Sequence, residues 1–171
     1  LTETDVGSDP ARLATTAELT ADGRTYVLNG SKLWCTNGTF ARLLVVMARD
    51  PTTNRISAFV VDTGTPGVRV ERRCRFMGLR AISNAVLSFT DVRVPVADRI
   101  GDEGKGLKIA LTTLNDGRLS IPNVAVGGAR VCLAIARRWA AERVQWGRPI
   151  GRLSRFTSDS GSRCPSPVKI V

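Results

Sequence analysis

Histidine does not occur anywhere in the 171 residues. Its absence excludes Ser-His and Cys-His nucleophilic catalysis and removes a common metal ligand, so no metal site is expected. Cysteine is sparse and follows no paired spacing: Cys35, Cys74, Cys132 and Cys164 stand far apart, which suggests neither a zinc site nor a disulfide framework and fits a reducing compartment. Aromatic residues make up 5% of the chain against a net charge of +10. With few rings, and with basic residues dispersed apart from Arg72, Arg73 and Arg75, the charge does not describe a nucleic-acid module. A basic binding module remains an alternative on charge alone. No apolar run approaches membrane-spanning length, so no membrane span is expected. No signal peptide is visible, and the chain opens inside a loop motif at Leu1.

What is present is the composition of a globular chain, 43% hydrophobic and 23% charged, long enough for one good core or for a domain and part of another. The stretch Tyr26 to Gly38 organises it. Tyr26, Leu28, Leu33 and Cys35 alternate with polar or small residues, and Asn29-Gly30 is a dipeptide that accepts positive φ, so the stretch predicts two strands joined by a hairpin turn. Trp34 and Thr36, two residues apart, then share one strand face. An indole and a hydroxyl so placed can meet one flat ligand. An aromatic on a strand is also commonly core, and spacing alone leaves both readings open.

Further strands are expected at Ala14–Leu19, Leu43–Ala48, Ile56–Val61, Val68–Cys74 and Ala85–Val94. Asp22-Gly23 is the turn of an earlier hairpin, and Leu43–Ala48 reads as buried on both faces. These make an antiparallel sandwich or barrel of about six to eight strands. From Leu107 the apolar period lengthens: Leu107, Leu111 and Leu114 form one stripe, and Ala125, Ala129, Leu133, Ala136 and Ala140 another. Gly117 and Pro122 between them predict a break, with a second helix starting near residue 116 and ending near Arg143. The fold class is α+β, the sheet followed by part of a helical bundle.

Five motifs occur in one order: Leu1-Thr2-Glu3-Thr4-Asp5-Val6-Gly7-Ser8-Asp9; the central stretch; Gly101-Asp102-Glu103-Gly104-Lys105-Gly106; Asn115-Asp116-Gly117-Arg118; and Glu142-Arg143-Val144-Gln145-Trp146-Gly147-Arg148-Pro149. Together they resemble the acyl-CoA dehydrogenases. The resemblance covers residues 1 to about 151 and implies a middle β-domain over 1–97 and the beginning of a C-terminal helical domain over 98–151. Residues 152–171, rich in serine and proline, carry no family pattern and read as a disordered tail left by a departure from the family's reading after Gly151.

The resemblance implies FAD as cofactor and α,β-dehydrogenation of acyl-CoA to trans-2-enoyl-CoA. Thr2, Trp34 and Thr36 would contact the flavin, with Cys35 counted in the same segment though alternation turns it toward the core. Arg143, Gln145 and Trp146 would reach a partner subunit's flavin. Ser8, Asn115 and Arg118 would contact acyl-CoA, with Asn115 in place of the family's more usual Asp. The catalytic base is missing: most relatives carry a Glu in a segment this chain lacks, a minority carry it where Gly117 stands, and no residue here takes the role. The expected partners are acyl-CoA, an electron-transfer flavoprotein as acceptor, and further copies in a tetramer. The expected location is the cytoplasm of a bacterium or the mitochondrial matrix of a eukaryote. The other reading is a non-catalytic remnant, a partial flavin-binding and acyl-CoA-binding β-domain.

Overall fold

The computed structural model describes residues 1–152; the expected tail lies outside them apart from Arg152. The chain divides into two units, Leu1–Asn115 and a second from Asp116 onward.

Seven strands form the sheet of the first unit: β1 Thr16–Leu19, β2 Thr25–Cys35, β3 Leu43–Arg49, β4 Ile56–Asp62, β5 Val68–Cys74, β6 Asn84–Pro95 and β7 Arg99–Ile100. Their spatial order is β5-β6-β2-β1-β3-β4-β7. All pairings are antiparallel except β1 with β3, which meet in parallel at Thr16 and Arg49, so the sheet is mixed. It curls far enough for Tyr26 on β2 to meet Phe59 on β4 edge to face, with centroids 4.8 Å apart, although β1 and β3 lie between them. The core within the curl includes Leu28, Phe59, Leu87, Val92 and Val94. A second apolar cluster gathers Val6, Leu13, Met47, Ile56, Ala58 and Ala110 under the N-terminal loop.

Two expectations about the strands fail for physical reasons. Asn29-Gly30 is not a turn: β2 runs unbroken from Thr25 to Cys35 and pairs with β6 through a register shift between Leu28 and Gly30. The dipeptide serves a bulge instead, with Gly30 at φ +143 and a Cβ there 2.7 Å from the Cα of Thr15, a clearance only glycine provides. The Asn29 amide closes the bulge, its Nδ2 donating to Asp91 Oδ1 (3.1 Å) and its Oδ1 accepting from the Asp91 N–H (2.8 Å). Nor is β3 buried on both faces. Leu43 and Val45 are 60% and 57% exposed while Val46, Met47 and Ala48 are buried, so the first half of the strand presents an apolar outer surface. The Asp22-Gly23 hairpin is as expected, with Gly23 at φ +68 and the Thr20 N–H donating to Thr25 O.

The helical break is also absent. α1 is one helix of 37 residues, Gly106–Glu142, with Pro122 inside it. An interior proline removes one N–H from the ladder and costs about 3 kcal/mol or more. Side chains add bonds to the neighbouring turns, Ser120 Oγ donating to Asp116 O and Asn123 Nδ2 to Leu119 O. The helix also corrects the reading of no spanning-length apolar stretch. Its short apolar segments lie close enough together that an 18-residue window reaches a mean hydropathy of 1.5, enough by length and composition alone to cross a membrane. Only Gly106 and Ala110 of its residues are buried, both in the first unit. After it, β8 Val144–Gln145 and β9 Arg148–Pro149 form a two-residue hairpin. Trp146 and Gly147 take its positive-φ positions at +48 and +74.

Candidate functional site

The end of β2 is bent by a second register shift, between Lys32 and Cys35. Trp34 sits in it at φ +59, so strict alternation stops there and the bulge aims the indole. Thr36 lies just past the strand. The two side chains are not on one face by period two, yet both line the same cavity of about 290 Å³, together with Leu1, Thr2, Lys32 and Cys35 and the start of β3. Trp34 remains 48% exposed and leans on Phe76, with centroids 5.2 Å apart and planes at 44°. It is therefore not a core aromatic. Thr36 Oγ1 donates to Asn84 Oδ1 at 3.2 Å, and Gly38 N–H to Cys35 O closes the turn that follows.

Cys35 serves both surfaces. It is half-buried, packs against the main core and lines the cavity. Burial pushes its thiol up from the ordinary value, so it is an apolar wall atom and not a thiolate nucleophile.

Thr2 reaches the cavity because the N-terminal loop is tied to β2. The Leu33 N–H donates to Thr2 O at 2.8 Å, and Glu3 and Val6 exchange two backbone bonds. Beneath this tie lies a pair that the sequence reading missed, Glu3 and Lys32, joined at 2.6 Å and only 7% and 2% exposed. Burial acts to raise the Glu3 carboxyl. Hydrogen bonds from Lys32, Thr15 and the Ala14 and Thr15 N–H groups outweigh it and hold Glu3 down to about 2. Burial lowers Lys32 while Glu3 opposes the change; the short contact to an ionised carboxylate makes this an ion pair. The available signal was a lysine in phase with Tyr26 and Leu28, which both point into the core.

Ser8 is exposed in the loop and is not among the cavity residues. Asn115 and Arg118 are three positions apart on α1. In the second unit, Arg143, Gln145 and Trp146 are gathered at the end of α1 by the terminal hairpin. The Arg143 N–H donates to Trp139 O, and the Arg143 carbonyl accepts from the Ile150 N–H. Gln145 is half-buried in β8 and Trp146 is 84% exposed at the turn.

The cavity by Trp34 has the makings of a slot for a planar ring: an indole at its rim, the aliphatic carbons of Leu1, Leu43 and Leu44 in its walls, and hydroxyls from Thr2 and Thr36. At about 290 Å³ it is at the small end of ligand clefts, which run from about 300 to 1,000 Å³, so it has room for about one ring system.

A curled β-sheet with an aromatic-rimmed slot at the end of one strand, followed in sequence by a long helix, is an α+β architecture with a place for a flat ligand. Comparison narrows it. Residues 1–92 match the family model for the acyl-CoA dehydrogenase middle domain, and residues 104–155 match the model for the acyl-CoA dehydrogenase C-terminal domain. The chain is 60% identical over 156 residues to the probable acyl-CoA dehydrogenase FadE10 of Mycobacterium tuberculosis, covering 89% of this chain and 24% of that protein. The butyryl-CoA dehydrogenase of Megasphaera elsdenii superimposes with a TM-score of 0.82 at 38% identity, over 92% of this chain and 42% of that one. An acyl-CoA dehydrogenase from Bacillus anthracis, solved in complex with FAD, gives a TM-score of 0.81 at 37% identity, over 91% and 26%. The chain belongs to the acyl-CoA dehydrogenase family. It spans about a quarter to two fifths of the length of these relatives.

Proposed function

We propose that this chain supplies the middle-domain wall of the flavin site, and the first part of the helical domain, of an FAD-dependent acyl-CoA dehydrogenase that converts acyl-CoA thioesters to trans-2-enoyl-CoA. The observation that carries the reading is the convergence of Thr2, Trp34, Cys35 and Thr36 on one slot. When bound there, FAD supplies the hydride-accepting chemistry of the reaction.

The chain's own residues hold and shield. Trp34 would cover a ring edge with its exposed indole, and the Thr36 hydroxyl, whose one proton goes to Asn84 Oδ1 here, would turn that proton to the ring beside it. Thr2 contacts the pyrimidine side, and the aliphatic wall excludes water. Arg143, Gln145 and Trp146 serve a neighbouring subunit's flavin, the guanidinium on its pyrophosphate. Ser8, Asn115 and Arg118 serve the thioester. An electron-transfer flavoprotein accepts the electrons, the assembly is a tetramer, and it works in the cytoplasm of a bacterium or the matrix of a mitochondrion.

No side chain here is assigned as the base that removes the substrate proton. Gly117 stands where some relatives carry it, and the residues lining the slot include no carboxylate. The second reading is a non-catalytic remnant that binds part of the flavin and acyl-CoA.

The test is the anaerobic absorbance of the 171-residue chain mixed with FAD and then with butyryl-CoA. The expected result is a bound flavin spectrum that does not bleach on addition of the thioester. Bleaching would overturn the expectation that no residue of this chain takes the role of the base, and a flavin spectrum identical to that of free FAD would overturn the slot itself.

A further inference from the structure

We propose that the buried Glu3–Lys32 pair is the positioning element of the slot, a latch that holds its Leu1–Thr2 wall against the bent end of β2. The proposal rests on the reading of that slot as a flavin wall.

The Glu3 carboxylate accepts from four donors: Ala14 N–H at 2.6 Å, Thr15 N–H at 3.0 Å, Thr15 Oγ1 at 2.6 Å and Lys32 Nζ at 2.6 Å. One side chain thereby joins the N-terminal loop, the segment entering β1, and β2. Both ends of the latch touch the slot. Lys32 lines it directly, and Thr2, the residue before Glu3, lines it while its carbonyl takes the Leu33 N–H. Behind Thr15 the backbone of Gly30 passes so close that an added Cβ there would lie 2.7 Å from the Thr15 Cα. Trp34 lies two residues past Lys32.

A buried ion pair is seldom retained for stability, because well-packed apolar residues of similar volume usually do as well or better. Its four-way geometry does what packing cannot: it fixes the register of a loop whose regular structure is limited to the Glu3–Val6 bridge and the single 3-10 turn Pro10–Arg12. Val6 and Leu13 bury the loop against the second apolar cluster, and that contact would tolerate sliding by a fraction of a residue. The pair does not.

The experiment compares the wild-type chain with Glu3→Gln and with the double variant Glu3→Leu/Lys32→Met. Three readouts are taken: the thermal midpoint, hydrogen exchange at the Leu33 amide with the Phe59 amide as internal control, and titration with free FAD. In Glu3→Gln, Leu33 exchange rises at least tenfold with Phe59 unchanged, and FAD binding weakens at least tenfold. The double variant, relieved of the unpaired charge, melts closer to wild type than Glu3→Gln does. It keeps the fast Leu33 exchange and the weak binding. A purely structural role predicts that exchange and affinity recover together with the midpoint, and that result overturns the proposal. So does wild-type Leu33 exchange in either variant. Should Glu3→Gln fail to fold, the double variant carries the same readouts. If the wild-type chain binds no FAD, the flavin reading fails while the exchange comparison still decides the latch.

Discussion

Residues 1–115 and residues 116–152 solve the problem of apolar surface in opposite ways. The sheet curls and covers itself: Leu28, Ala48, Phe59 and Val92 are fully buried. Among the described residues after Asp116 none is buried, and Leu119, Ile121, Val124, Val131, Leu133 and Trp139 are each more than half exposed. A sheet with strands enough to fold over supplies both halves of a core, whereas a single helix supplies only one side. The difference teaches where each region's function is decided. The slot by Trp34 is built within one self-covered unit, so its geometry is a property of this sequence. The Arg143–Trp146 group follows a helix whose apolar side chains must be covered by something else, as expected of the first part of a helical domain.

The strongest way to break that comparison is a pair of matched truncations, Phe59→Ala in the sheet and Leu133→Ala in the helix. Phe59→Ala removes a ring at the centre of the curl and is expected to cost about 3–5 kcal/mol, read from urea unfolding. A loss below about 1 kcal/mol would mean the curl is loosely packed. Gly30→Ala comes next. Its Cβ meets the Thr15 backbone at 2.7 Å and its φ is +143, so an expected loss of about 1–3 kcal/mol should appear in the same melt.

The acid limb of the stability curve sharpens the contrast. Glu3 titrates at about 2 in the folded chain against 4.5 ordinarily, so the unfolded chain binds the proton more readily. Its contribution is fully present above about pH 4.5 and is lost as the pH falls toward 2. In Glu3→Gln the midpoint should fall less steeply over that window; an unchanged slope would remove Glu3 as the cause. The smallest effect is expected in the second region. Leu133→Ala, at a position 57% exposed, should shift the stability of the isolated chain by less than about 0.5 kcal/mol. A loss comparable to that of Phe59→Ala would show that the helix is covered after all.

The sequence was legible where one local pattern had one structural meaning. The apolar runs of β3 and β4 and the alternation of β6 are strands within a residue or two of the expected bounds, and Asp22-Gly23 is a turn. It misled where one residue type serves two geometries. Asn29-Gly30 suits a hairpin turn and equally a bulge that needs room for Thr15. Gly117 and Pro122 weaken a helix, yet neither ends α1. The parallel contact of β1 with β3 had no local signature at all. Of the candidate site, the types of residue at Trp34 and Thr36 were readable, but the reason they converge was not: it is a bulge at Trp34, and alternation contains no information about it. Glu3 and Lys32 were invisible as a pair because they are 29 positions apart.

The most direct test of the central claim is FAD titration followed by tryptophan fluorescence, in the wild-type chain and in Trp34→Phe. If the slot at the end of β2 is the flavin wall, wild type shows saturating quenching and Trp34→Phe loses that saturating component, because the indole on the ring is gone. Saturating quenching of equal amplitude in both proteins would place the flavin elsewhere and contradict the account.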